Sequence, residues 1–312
     1  MGGAGSVLRG RHSGILTRCG AFRASTMGED RGRRPIRPAG RGPLPGPGAP
    51  GGPAMADTDR PLTVREKLRL TLRRRRSGSG FWYGLGIELI WPFAMFLPKI
   101  VFRGGEHVPR SGGALLALNH VSFADPIFDT AFVVANGRMP RYLAKSELWK
   151  VPVVRSVLAG GRHIPVHRAT SRATDAYRDA VEALNRGEVV AFYPEGTYTA
   201  DPDGWPMKAK NGIGRIAVVT GVPVIPVANW GTQEALPPGA LPRLFPRRRV
   251  RVVAGPPVDL SAFVGKPRTR TNLDAATAAI MTDITKLVAD LRGEQAPDAA
   301  YDPGPERPAA AS

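Results

Sequence analysis

The sequence predicts an α/β domain with a mostly parallel central sheet flanked by helices. Short apolar runs recur at 113–119, 141–144, 163–166, 188–194, 222–228 and 249–254, each the length of a buried strand. Helical stretches near 126–136, 170–186 and 209–220 separate several of them, and strand–helix alternation implies parallel pairing in a layered α/β architecture. A last helix runs over 272–291, with Asn272 as its N-cap and Gly293 as its stop.

Composition frames this prediction. The chain has 312 residues, 42% of them apolar, which is enough for a sizeable core. Its 44 Lys and Arg against 26 Asp and Glu give a formal charge of +18, which favours anionic partners: nucleic acid, an acidic membrane face or phosphorylated small molecules. Cys19 is the only cysteine, so a disulfide framework and cysteine-based zinc sites are excluded.

The elements follow in order. Residues 1–54 hold 14 Gly, 7 Pro and nine Arg with no Lys and two acids, Glu29 and Asp30, and show neither a 2.0 nor a 3.6 periodicity. They read as a disordered tail, or as an over-long start with translation beginning at Met55; without an apolar h-region they make a poor secretory signal. The remainder keeps +11 of the +18, so the basic character belongs to the folded part. Residues 62–76 read as a helix, with Val64, Leu68 and Leu72 at i, i+4 and i+8 among Arg65, Lys67, Arg69 and the run Arg73 to Arg76. Such a pattern suits a membrane-surface helix, or else a solvated charge run beside a core helix.

Residues 81–101 are strongly apolar, with Trp82, Tyr83 and Trp91 as interfacial aromatics. Glu88, Pro92, Pro98 and Lys99 interrupt them, leaving 89–98 as the longest uncharged run, short of the ~20 residues a span needs. A segment dipping into one leaflet fits better than a transmembrane helix, and a buried core helix is the third reading. The domain plan is thus a tail at 1–54, a membrane-associated helical segment at 62–101, a folded domain at 102–292 and a Pro/Ala-rich disordered end at 293–312.

Two clusters carry chemistry, both where an apolar strand ends, the edge at which α/β sheets place ligands. The first is Asn119-His120-Val121-Ser122-Phe123-Ala124-Asp125-Pro126. A His and an Asp five residues apart across a turn can meet, so that the carboxylate fixes the tautomer and stabilises the imidazolium. The same residues also form an ordinary helix entry, with Asp125 as N-cap and Pro126 at N1. The second cluster is Phe192-Tyr193-Pro194-Glu195-Gly196-Thr197, a tight turn presenting a carboxylate, backbone N–H groups and a hydroxyl, or simply a strand-to-loop turn. Around them stand Lys145, Arg162, Arg168, Lys208, Lys210 and Arg215, basic residues near strand ends that suit a phosphate pocket, though each alone reads as a surface charge.

Order and spacing together resemble the glycerolipid acyltransferases of the 1-acylglycerol-3-phosphate acyltransferase family, over roughly 85–260. Asn119-His120 with Asp125 matches the N-H-x-x-x-x-D motif. Gly161 to Arg168 matches the looser second block, Phe192 to Thr197 the F-P-E-G-T block, and Val222 to Val227 the V-P-V-x-P-V block. The resemblance implies transfer of an acyl group from an acyl-CoA or acyl-carrier-protein thioester to a lysophospholipid hydroxyl, on a glycerolipid-acyltransferase-like fold with an N-terminal membrane-associated segment.

By that resemblance His120 is the general base and Asp125 its orienting partner. Glu195, Gly196 and Thr197 bind the acceptor head, Lys145 and Arg168 lie near its phosphate, and Val222 to Val227 form scaffold beside the acyl site. Asn119, Ser122 and Lys210 support the motifs. A thioester is already activated, so a base, an oxyanion stabiliser and two aligned substrates suffice, with no metal or other cofactor expected. The expected partners are the thioester donor, the lysophospholipid and an anionic membrane surface, not nucleic acid. The expected place is the cytoplasmic face of the cell membrane, held monotopically or peripherally.

Departures from the family pattern concern the acceptor more than the reaction: Tyr198 follows Thr197 where Arg or Ser is common, His167 stands where an acid is common, and Pro165 where an aromatic is. One phosphate contact is then missing, or comes from Lys208, Lys210 or Arg215. Two rivals remain: a basic nucleic-acid or membrane adaptor, which leaves both strand-end clusters unexplained, and a hydrolase using Ser122, which lacks a G-x-S-x-G elbow.

Overall fold

The computed structural model of the chain describes residues 60–75, 91–92, 94–167, 173–243 and 245–304. The tail expected at 1–54, residues 76–90 of the membrane segment with Trp82 and Tyr83, and the last eight residues lie outside them.

Seven strands form the sheet: β1 (Lys99–Arg103), β2 (Ala114–Leu118), β3 (Pro140–Lys145), β4 (Ile164–Val166), β5 (Val189–Phe192), β6 (Val224–Trp230) and β7 (Arg249–Ala254). Their order is β1-β7-β6-β2-β5-β3-β4. The five from β6 to β4 are parallel, β7 runs antiparallel to β6, and β1 runs parallel to β7. Strand β2 is at the centre, Leu116 aligned with Ala191 on one side and Ile225 on the other. All five of its residues are buried, as expected for a strand covered on both faces.

The helices are α1 (Val64–Arg75), α2 (Asp125–Ala135), α3 (Pro152–Gly160), α4 (Ala173–Asn185), α5 (Gly212–Thr220), the short α6 (Thr232–Ala235) and α7 (Arg270–Arg292). Alternation along the strands sorts them into two layers. Leu115 and Ala117 point to the face where α4, α5 and α7 pack through Ala180, Ile216 and Ile280. Ala114, Leu116 and Leu118 point to the other face, covered by α2 through Phe128 and Phe132 and by Leu70, Trp91 and Met95. Gly214 permits the close approach of α5 to α7, since a Cβ there would lie 2.5 Å from the Leu273 carbonyl oxygen. Helix α7 begins two residues earlier than expected, and its cap is Thr269, whose Oγ1 accepts from Asn272 N at 3.2 Å.

The N-terminal segment differs from expectation in two ways. Residues 99–101 belong to the sheet as β1, where buried Ile100 and Val101 pair beside Val250 and Arg251 of β7 and close that edge. Trp91 is not at an interface: it is 1% exposed and its Nε1 donates to Thr71 Oγ1 at 2.9 Å. Helix α1 also turns its faces the less obvious way. Leu70 and Lys67 face inward, Lys67 Nζ donating to Pro98 O at 3.0 Å, while Val64, Leu68 and Leu72 are 50–63% exposed. Burial, with Arg247 nearby, lowers the Lys67 pKa to about 8.

The other terminus is also corrected: 293–304, expected as disordered coil, follows the domain surface. Tyr301 O accepts from Lys208 N at 2.9 Å and Asp302 pairs with Lys208 Nζ at 3.0 Å. Among the described residues no helix is long and apolar enough to cross a membrane.

Candidate active site

The site is built at the carboxyl ends of β2, β5 and β6. Where β2 runs out, Asn119 extends the ladder with its side chain: Oδ1 accepts from Asn229 N at 2.7 Å and Nδ2 donates to Asn229 O at 3.0 Å. That two-bond clamp ties the first turn to β6 and delivers His120 at the sheet edge.

Asp125 closes the turn. Its Oδ2 accepts from His120 Nδ1 at 2.8 Å, from Val121 N at 2.6 Å and from Ser122 N at 2.9 Å, and its Oδ1 accepts from the Thr232 hydroxyl. The helix-entry reading is thereby resolved: α2 starts here, but the carboxylate gathers the turn and the imidazole instead of capping the helix. With Nδ1–H committed to the carboxylate, Nε2 is left as the proton acceptor, and the side chain keeps 15% exposure. Ser122 is fully buried, its hydroxyl donated to Leu236 O at 2.7 Å and accepting from Ala124 N at 3.1 Å, a turn-building role that leaves no nucleophile for a hydrolase.

The second cluster meets the first, though not as expected. Glu195 is fully buried; Oε1 accepts from His120 N at 3.1 Å and Oε2 from Met207 N at 2.9 Å. Its carboxylate therefore braces the backbone that carries the imidazole. Gly196, at φ 79°, spends its N–H on Tyr193 O at 3.0 Å, which closes the turn and removes that N–H from ligand binding. Thr197 is only partly buried on the same turn, and Thr199 N donates to His120 O at 2.7 Å, a further tie between the clusters.

Below the imidazole lies a platform that the sequence did not disclose. The Tyr193 ring stacks on His120, centroids 4.3 Å apart and planes inclined 22°, and Tyr142 stacks on Tyr193 in turn at 6.0 Å. The Tyr193 hydroxyl donates to Asp129 Oδ2 at 2.7 Å, and Asn229 Nδ2 donates to Asp129 Oδ1 at 3.0 Å. Burial and the Asp125 carboxylate push Asp129 well above the usual carboxylate range; burial and Asp129 also raise the Tyr193 phenol. An Asp at i+4 from Asp125 was the available signal, but its partner is 64 residues away.

Tyr198 stands edge-on to His120 at 6.4 Å and to Phe123 at 5.2 Å, so an aromatic wall occupies the place where the family pattern puts Arg or Ser. Lys145 ends β3, two strands from β2, and Lys210 is exposed, its N–H donating to Pro194 O at 3.1 Å. Arg168 lies outside the described residues. Among the described residues no cluster of three or more His, Cys, Asp or Glu is arranged to hold a metal.

A family model described as Acyltransferase matches residues 99–230, from β1 to the end of β6. A chloroplastic 1-acyl-sn-glycerol-3-phosphate acyltransferase of Arabidopsis thaliana is 29% identical over 176 residues, 55% of this chain and 48% of the relative. The Bacillus subtilis 1-acyl-sn-glycerol-3-phosphate acyltransferase is 26% identical over 194 residues, 59% of this chain and 89% of its own. The crystal structure of the 1-acyl-sn-glycerophosphate (LPA) acyltransferase of Thermotoga maritima aligns with a TM-score of 0.53 at 26% identity, covering 76% of this chain and 86% of that one. The chain spans about half the length of the plant relatives it matches. The matched region holds His120, Asp125 and Glu195; Thr232, which fastens Asp125, follows two residues after it.

Proposed function

We propose that the protein transfers a fatty acyl group from an acyl-CoA or acyl-carrier-protein thioester to the free hydroxyl of a lysophospholipid, with 1-acylglycerol-3-phosphate as acceptor and phosphatidic acid as product. The observation that carries this reading is the His120–Asp125 pair, 2.8 Å apart, on a turn within the region that matches the acyltransferase family model.

His120 Nε2 takes the proton of the acceptor hydroxyl as its oxygen attacks the thioester carbonyl, while Asp125 stabilises the imidazolium. Collapse of the tetrahedral intermediate breaks the C–S bond, and the departing thiolate receives the proton from His120. The thioester supplies its own activation, so this path asks nothing of a metal or other cofactor. No cysteine follows residue 19, so direct attack replaces a cysteinyl acyl-enzyme. Thr197, Lys145, Arg168 and Lys210 supply the polar and cationic groups for the acceptor head and its phosphate.

Both substrates carry acyl chains and partition into bilayers. The outward stripe of Val64, Leu68 and Leu72 beside Arg65 and Arg69 supports attachment to an anionic bilayer at its cytoplasmic face, monotopically or peripherally.

The test is acyl transfer from a long-chain acyl-CoA to lysophosphatidic acid in detergent, for wild type and His120→Ala. Phosphatidic acid should form with wild type and fall at least ~10²-fold in the folded variant. Equal activity in both would overturn the mechanism, and no product with either would move the acceptor elsewhere.

A further inference from the structure

We propose that residues 237–243 and 245–248, in the connection from β6 to β7, form a second bilayer-docking element that presses an apolar tip and an arginine collar onto anionic lipid beside the catalytic edge. Leu241 is 85% exposed and Phe245 77%, the most exposed large apolar side chains among the described residues. Arg243, Arg247, Arg248 and Arg249 accompany them, and no acid occurs from 235 to 258.

The segment is built to hold that tip outward. At its base Arg243 N donates to Ala235 O at 2.8 Å, and Ala240 N donates to Pro237 O at 3.1 Å. Arg247 donates from Nε to Leu97 O and from its terminal nitrogen to Phe96 O, both at 2.6 Å, and Arg248 pairs with Glu234 at 3.6 Å. The bonds fix the frame and leave Leu241 and Phe245 in water, where apolar side chains that size cost free energy unless something covers them.

Position identifies the cover. Strand β6 is parallel to β2, so the connection leaves the sheet at the edge where β2 delivers His120. Leu236 O, at its start, accepts the Ser122 hydroxyl of the catalytic turn, and Arg247 ties its far end to residues 96–97, where Phe96 is also exposed. The chemistry selects a bilayer over an acidic protein: arginines alone would serve either, but a Leu and a Phe projecting beyond them suit the headgroup–acyl boundary. Each cation near an anionic leaflet contributes ~1 kcal/mol, a factor of about five in partition.

The contact is read without turnover, so it stands or falls apart from the acyl-transfer chemistry. The experiment is flotation of the full chain with phosphatidylcholine vesicles, with and without phosphatidylglycerol. The variants are Leu241→Ser/Phe245→Ser and Arg243→Gln, with Val64→Ser/Leu68→Ser/Leu72→Ser as a comparison. The expected result is at least a tenfold loss of partition for Leu241→Ser/Phe245→Ser, with the melting temperature unchanged and activity in detergent retained. Arg243→Gln should lose about fivefold on phosphatidylglycerol vesicles only. In Phe245→Trp, brominated lipid should quench fluorescence beyond the wild-type level. Wild-type partition for Leu241→Ser/Phe245→Ser would overturn the proposal, as would wild-type partition combined with lost turnover of an acyl-carrier-protein thioester, which would make the loop a protein-docking surface.

Discussion

The turns after β2 and β5 look alike in sequence, each an apolar strand ending in polar residues around a Pro, yet they do opposite work. The first displays its imidazole: Asp125 collects two side chains, His120 and Thr232, and two backbone N–H groups, so that His120 is held with Nε2 outward. The second hides its carboxylate: Glu195 is fully buried and accepts from the backbones of His120 and Met207. The lesson is that a charged residue in a conspicuous motif can serve the frame and not the ligand, and that burial separates the two cases.

The sharpest way to break this comparison is Glu195→Ala. A bracing residue should cost stability first, because two buried backbone N–H groups lose their acceptor, an effect of ~3–5 kcal/mol in denaturant unfolding. A ligand-binding Glu195 would instead raise KM and leave the unfolding midpoint in place. Next in size is Asp129→Ala, which strands the Tyr193 hydroxyl and the Asn229 amide and should cost ~2–3 kcal/mol. Asp129→Asn, which stays neutral, should retain most activity at neutral pH; a loss as large as that of Asp129→Ala would show that its charge matters.

A third effect, of similar size, is a pH dependence away from both turns. Tyr142 N donates to His163 Nδ1 at 3.1 Å, and burial with nearby Arg141 lowers the His163 pKa to about 4. The unfolded chain takes this proton near 6.5 and the folded chain only near 4. The contribution is therefore complete above pH ~6.5 and lost as pH falls toward 4, a difference of ~2–3 kcal/mol. Unfolding titrations of wild type and His163→Gln at pH 7 and 4.5 should diverge by that order, and parallel behaviour would refute it.

The parallel core was legible because its strands are short apolar runs between helices. Strand β1 was not, since Ile100 and Val101 continue an apolar segment and nothing local marks the edge on which they pair. The reversal at β7 escaped too, because an apolar run carries no direction. Helix α3 has an apolar composition bounded by Pro152 and Gly161, which reads equally as coil. In the site, the His120–Asp125 contact spans five residues and could be anticipated. The Thr232 hydroxyl on Asp125 and the Tyr193–Asp129 bond join residues 107 and 64 apart, and only the fold brings them together. Helix α1 shows a subtler limit: its i, i+4, i+8 spacing marks a stripe, but periodicity does not say whether the core or the outside receives it.

The stacking of His120 on Tyr193 has a consequence for observation. A tyrosine ring lying nearly parallel at 4.3 Å shields the imidazole carbon protons by its ring current. With only five histidines in the chain, the His120 resonances should stand upfield of the other four, and their drift with pH gives the protonation of the base directly, before any substrate has been added.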